Sequence, residues 1–331
     1  MTDQPPKTSR QTTRRFHIPE TISGEAATAL TEMYGLLSQA PESTPPVSLS
    51  DWDERNTLAK QGFEPLSQAT AQRLQIETIK DVIGGVPVLR IRPPDYAPSP
   101  VRLIYTHGGA YTMFSAETPL MLPALMAVES GCEVISIDYT LAPQLRWQGV
   151  TDQVLAVWRA LLADGMDSER TGLFGDSAGG GLAAGSVLKM RDAGLPLPGA
   201  LYLVSPWSDI TATGDSVTTL ADFDPILTSE VLSWSAAAYA DATDQTHPYV
   251  SPVYGDYSKP FPPTLIQVGT REIFLSHAVR HYQAIRFGGH DAVLDVYEGM
   301  PHVHQAMLPF SPESMTATLR ASEFLARHLK V

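Results

Sequence analysis

The sequence predicts an α/β fold: a mostly parallel sheet flanked by helices, with a helical cap. Three observations predict it. Six short, nearly continuous apolar runs occur at 101–106, 132–137, 171–175, 200–205, 264–269 and 293–298. Such runs suit strands buried on both faces of a parallel sheet. Segments with helical spacing lie between them, and strand–helix alternation from about residue 100 onward implies a doubly wound domain. Finally, 43% of the 331 residues are hydrophobic and 18% charged, which supports a sizeable core and excludes a disordered chain.

The elements follow in order. Residues 1–10 are polar and expected to fray. Residues 19–40 place Leu30, Met33, Tyr34 and Leu37 at helical spacing. A Pro- and Ser-rich loop at 41–50 precedes a second helical stretch at about 51–61. Residues 75–80 and 86–92 alternate apolar and polar around Gly84-Gly85, the pattern of a hairpin. Val150, Val154, Val157, Trp158 and Leu161 mark one helix, and residues 182–190 belong to another. Ser311-Pro312 opens the last, with Ser as N-cap and Pro in the first turn. The segment 205–255 interrupts the alternation and holds a helix at about 229–240. Residues 1–70 and an insertion at about 208–250 are therefore expected to form one cap over a catalytic body at 71–331.

Charge and cysteine count narrow the function. Lys and Arg number 23 against 36 Asp and Glu, a net −13. This argues against nucleic-acid partners, anionic membranes and acidic substrates. A single cysteine, Cys132, excludes an intramolecular disulfide and any Cys-rich metal site. It opens an apolar run and reads as a small core residue. No apolar leader opens the sequence and no run of about 20 apolar residues exists to cross a bilayer, so a cytoplasmic protein is expected.

The sharpest chemical signal is GDSAGG at 175–180, directly after one apolar run and before a helical stretch. That is the strand–turn–helix context of a G-x-S-x-G nucleophile elbow, with Ser177 exposed on the tight turn. Gly175 and Gly179 leave the turn room. Serine needs a base. His302 follows the last strand-like run, with His304 a near competitor; His277, His281 and His290 lie on or near a helix and read as surface residues. The base needs an orienting acid between serine and histidine in the chain. Glu272 directly follows a strand, whereas Asp291 and Asp295 are the alternatives. His107-Gly108-Gly109-Ala110 follows the strand at 101–106. Adjacent glycines let backbone N–H groups approach a developing oxyanion, so Gly108 and Gly109, with Ala178, are the candidate donors. His107 is expected to shape that loop.

Together these motifs resemble the hormone-sensitive lipase family of α/β-hydrolases, the family IV bacterial esterases. DYTLAP at 138–143, SPWSDIT at 205–211, PYVSPVYGD at 248–256 and GTREIFLSHAVR at 269–280 extend the resemblance, which runs from about residue 73 onward. It implies an eight-stranded sheet with one antiparallel strand, a helical cap, and hydrolysis of short-chain carboxylic esters without metal or cofactor. It assigns Ser177 as nucleophile, His302 as base and Glu272 as the acid where the family usually has Asp. Three departures stand out: Ala110 for the third glycine of H-G-G-G, and Thr140 and Gln144 for charged residues around L-A-P.

Tyr111, Met113, Phe114, Trp207, Phe223, Ile226, Leu227 and Phe274 are candidate pocket residues. The expected substrate is a small neutral ester. An amide or lactone hydrolase with the same triad and a non-catalytic binding protein on this scaffold are the alternatives. By resemblance, a homodimer would form through the sheet edge near 293–298.

Overall fold

The computed structural model describes residues 16–38 and 43–330. The expectations for residues 1–10 and for the end of the first helical stretch lie outside them. Eight strands form one sheet: β1 (Glu77–Ile83), β2 (Val86–Arg92), β3 (Arg102–Thr106), β4 (Val134–Ile137), β5 (Thr171–Asp176), β6 (Ala200–Val204), β7 (Thr264–Arg271) and β8 (Ala292–Pro301). Their order is β1-β2-β4-β3-β5-β6-β7-β8. Only β2 runs against the rest; it pairs antiparallel with both β1 and β4. The β1–β2 hairpin turns on Gly84 and Gly85, at φ +60° and +79°. Two successive positive φ values give the turn whose twist matches the strands.

Ten helices accompany the sheet among the described residues: α1 (Gly24–Leu37), α2 (Leu49–Leu74), α3 (Met121–Ser130), α4 (Trp147–Ala163), α5 (Ser177–Asp192), α6 (Asp215–Thr219), α7 (Ser229–Tyr239), α8 (Leu275–Phe287), α9 (His304–Met307) and α10 (Pro312–His328). The second helical stretch runs 13 residues past its expected end, to Leu74, and passes through the expected boundary at residue 70. Pro65 does not end it. The helix is held at its start by a Ser48–Asp51 capping box. Along its length, Phe63 and Leu66 pack on the core cluster that includes α3, so burial outweighs one missing hydrogen bond.

Alternate side chains of each strand face opposite ways, so the sheet carries a core on each side. Val88, Ile104, Ile135, Leu173 and Leu203 meet α4, α5 and α8 on one face. Leu89, Leu103, Tyr105, Val134, Phe174 and Tyr202 meet α3 and α10 on the other. Cys132 belongs to this second core. α1 packs separately, through Ala26, Leu30 and Tyr34, on Tyr297, Met300 and Ala317. β8 is an outer strand, with Val293 and Val296 43% and 44% exposed.

Parallel strands place all their carboxyl ends on one edge. The loops after β3, β5, β6, β7 and β8 therefore converge there, the usual place for a site in such a sheet. Among the described residues, seven of the ten non-glycine residues with positive φ lie in these loops: Ala110, Tyr111, Phe114, Ser177, Ser205, Ala212 and Val303. Strained backbone of this kind concentrates where function demands a fixed geometry.

Candidate active site

β5 delivers Ser177 at φ +52°, directly ahead of α5. A Cβ on Gly175 would lie 2.4 Å from Gly179 O, and one on Gly179 would lie 2.0 Å from Thr106 O. Only glycine lets strand and helix close this tightly. Ala178 is the second residue of α5, so its N–H is a first-turn donor with no intrahelical acceptor.

β7 delivers Glu272 and β8 delivers His302. The Glu272 carboxylate is fully buried and accepts three hydrogen bonds. Oε2 accepts a hydrogen bond from His302 Nδ1–H at 2.8 Å. Oε1 accepts from the Ser205 hydroxyl at 2.8 Å and from Gly269 N–H at 2.7 Å. Ser205 itself accepts from Val303 N–H at 3.0 Å, so one serine ties the acid to the histidine loop. Asp295 pairs instead with Arg320, and Asp291 faces Arg286 and His328. His304 shares a 3.1 Å hydrogen bond with Ser314 and packs on Tyr297. The histidine–acid pair is thus His302 and Glu272.

Trp207 joins this pair to the elbow. Its N–H donates to Ser177 O at 2.8 Å and its ring stacks on Phe274 at 5.8 Å, while Phe274 meets His302 edge-on at 5.2 Å. His302 Nε2 and Ser177 Oγ make no protein hydrogen bond among the described residues. Contacts of this type are often long before substrate is bound.

The loop after β3 is braced from below. His107 donates through Nδ1 to Gly108 O at 2.8 Å and stacks on Tyr139 at 4.2 Å. The Tyr139 hydroxyl donates to His107 O at 2.7 Å. Burial pulls His107 down to about 4, so it stays neutral. Gly108 differs from its expected role. Its N–H donates to Asp176 Oδ1 at 2.9 Å, and the same oxygen accepts from Tyr105. The carboxylate beside the nucleophile therefore anchors the loop through the Gly108 N–H. Gly109 sits at φ +105°, where a Cβ would lie 2.3 Å from Met113 O.

Of the candidate pocket residues, Trp207 and Phe274 line a cavity beside α7. Tyr111 is buried, stacked on Tyr239 at 3.6 Å and on Trp207 at 5.7 Å. Met113, Phe114, Phe223, Ile226 and Leu227 are half-buried and stay off that cavity's wall. Ile226 and Leu227 use their N–H groups to hold Asp224, which also accepts from Ile273 N–H at 2.8 Å. This staple ties the insertion to the residue after Glu272, and the sequence carried no signal for it. Burial raises Asp224 to about 6. His277 and His281 are buried and not surface residues as expected. His281 bridges the Ser208 and Tyr257 hydroxyls, each at 2.7 Å, groups far from it in the chain.

The alpha/beta hydrolase fold profile matches residues 103–306. The chain belongs to the alpha/beta-hydrolase fold family. An acetyl-hydrolase of Streptomyces hygroscopicus is 34% identical over 67% of this chain and 74% of its own length. An ethyl acetate hydrolase of Pseudomonas putida is 29% identical over 74% and 79%. A crystal structure of an esterase from the bacterial hormone-sensitive lipase family superposes with a TM-score of 0.82, at 33% identity, covering 93% of this chain and 99% of that one. This alpha/beta-hydrolase is therefore a carboxylic ester hydrolase of the hormone-sensitive lipase family. Among the described residues no helix is long and apolar enough to cross a membrane.

Proposed function

We propose that the enzyme hydrolyses small neutral esters with short acyl chains through an acyl-enzyme on Ser177. His302 takes the Ser177 proton as the hydroxyl attacks the ester carbonyl. Glu272 fixes the imidazole tautomer through Nδ1 and stabilises the imidazolium. The tetrahedral oxyanion rests on the N–H groups of Gly109 and Ala178. Protonated His302 then gives its proton to the leaving alkoxide. Water, deprotonated by His302, attacks the acyl-enzyme and releases the acid. The 2.8 Å contact between His302 Nδ1 and the buried Glu272 carboxylate carries this reading.

α1, α2 and the 208–250 insertion act as the cap. The Arg55 guanidinium of α2 lies 5.5 Å above the Trp234 ring of α7, which supports a joint lid. A homodimer across β8 belongs to the same reading, with sedimentation velocity as its check. For the chemistry, an organophosphate should label Ser177 stoichiometrically, as read by intact mass. A folded protein that stays unlabelled and turns over no ester would sink the scheme.

A further inference from the structure

Glu272 must hold its carboxylate against His302 with one more side-chain torsion than aspartate has. Gly269 N–H and the Ser205 hydroxyl fix the carboxylate end of that side chain. Its other end is the backbone, and there the cap insertion supplies the contacts. Ile273, the residue after the acid, is 1% exposed. Its N–H donates to Asp224 Oδ2 at 2.8 Å, and its C=O accepts from the Ser216 hydroxyl at 2.6 Å. Asp224 and Ser216 both belong to the insertion, and both are buried.

The Ile273 N–H lies in the same planar peptide unit as the Glu272 C=O, which accepts from Leu275 N–H at 3.2 Å. That unit is therefore held at both edges, which restricts rotation about the Glu272 Cα–C bond. Ser216 fixes the next peptide unit and is itself locked to the start of α8. Ser216 N–H donates to Ser276 Oγ and Ser276 N–H donates to Ser216 Oγ, each at 2.8 Å. On the other side of the acid, the Arg271 guanidinium lies 6.0 Å from the Phe223 ring, again part of the insertion. β7 ends at Arg271, so the sheet's ladder does not extend to Ile273.

We propose that Asp224 and Ser216 are positioning residues for Glu272, so that the cap insertion serves the reaction as a clamp on the acid's backbone. This rests on the reading of Glu272 as the acid of the acyl-enzyme cycle. A catalytic constellation must be held to about 0.5 Å, and a misplacement of about 1 Å costs as much as about 10²-fold in rate.

Asp224→Asn and Ser216→Ala test this in the full chain, with p-nitrophenyl acetate as substrate. An amide has a single accepting oxygen, so Asp224→Asn cannot serve both the Ile226 and Leu227 N–H groups and that of Ile273. Ser216→Ala removes only the hydroxyl. Each is expected to lower kcat about tenfold with KM unchanged, because the loss falls on the transition state. A double-mutant cycle separates positioning from stability. In a Glu272→Ala background neither substitution should lower kcat further, since the group it positions is gone. Wild-type kcat in both folded variants overturns the proposal, as does an equal loss in both backgrounds. If Asp224→Asn does not fold, Ser216→Ala decides. Wild-type turnover in folded Glu272→Ala removes the acid assignment and the clamp with it. Impaired Glu272→Ala beside unimpaired Asp224→Asn and Ser216→Ala removes the clamp alone.

Discussion

Glu272 is one methylene longer than aspartate, and each of its oxygens is committed. Oε1 is held by Gly269 and Ser205, and Oε2 is turned to His302. Glu272→Ala is expected to lower kcat by about 10³–10⁴-fold, the range seen when an orienting acid is lost. Circular dichroism should remain native; near-normal turnover in a folded variant would reject the assignment. Glu272→Asp is expected to be intermediate, because the shorter side chain cannot keep both the Gly269 and His302 contacts. At the oxyanion loop, Gly109→Ala would drive a Cβ into Met113 O at 2.3 Å. Displacing one donor costs about 3 kcal/mol of transition-state stabilisation. A kcat lowered roughly 100-fold, measured on a short-chain ester, is the expected outcome. Ser177, His302 and Glu272 were legible in the sequence as candidates because each sits beside a strand end with a turn signal, and the fold brings His302 and Glu272 into contact. Gly108 was legible as a loop residue but not as an anchored one. Its partner, Asp176, is 68 residues away, and only the β3–β5 pairing brings them together.

At the scale of elements, the apolar runs all became strands, and the hairpin appeared at its two glycines. The length of α2 did not follow from pattern, because past Pro65 it is supported by Phe63 and Leu66 packing on the core cluster that includes α3. The inward face of α8 was equally hidden. His277 and His281 look polar in sequence, and their burial depends on Phe274, Ser208 and Tyr257. The Asp224 staple joins the insertion to the loop that carries Glu272. Asp224→Ala leaves three N–H groups without their acceptor, that of Ile273 fully buried and those of Ile226 and Leu227 partly so, a loss of about 3 kcal/mol. A denaturant midpoint equal to wild type would show that the staple contributes nothing. A larger loss in turnover than in stability would show that it positions Glu272.

The whole molecule carries an acid sensitivity built from buried imidazoles. His107 and His277 are held at about 4, and His281 and His304 at about 3, all by burial. Free histidine titrates near about 6.5, so between that value and the folded values the unfolded chain binds more protons. Stability is therefore complete above pH about 6.5 and falls as pH drops. Asp224, raised to about 6, and Asp176, also raised, act in the opposite sense. With four depressed histidines against two raised carboxylates, the unfolded chain takes up more protons than the folded one as the pH falls below about 6.5. Calorimetric Tm measured from pH 7 to 4.5 should fall steadily; a flat profile would contradict it. The net charge of −13 acts at longer range. Anionic esters should show a lower kcat/KM than neutral esters of equal size, and salt should narrow the gap.

The sequence by itself determined the α/β sheet, the order of its strands' chemistry and the three residues that fall at strand ends. Those features are local: apolar runs, turn glycines and a nucleophile set between strand and helix are written in consecutive residues. Tertiary structure decided which histidine meets the acid, that Gly108 is tied to Asp176, and that His277 is buried. Each of these depends on groups brought together from distant parts of the chain, and hydrogen-bond partnership and burial are properties of that packing.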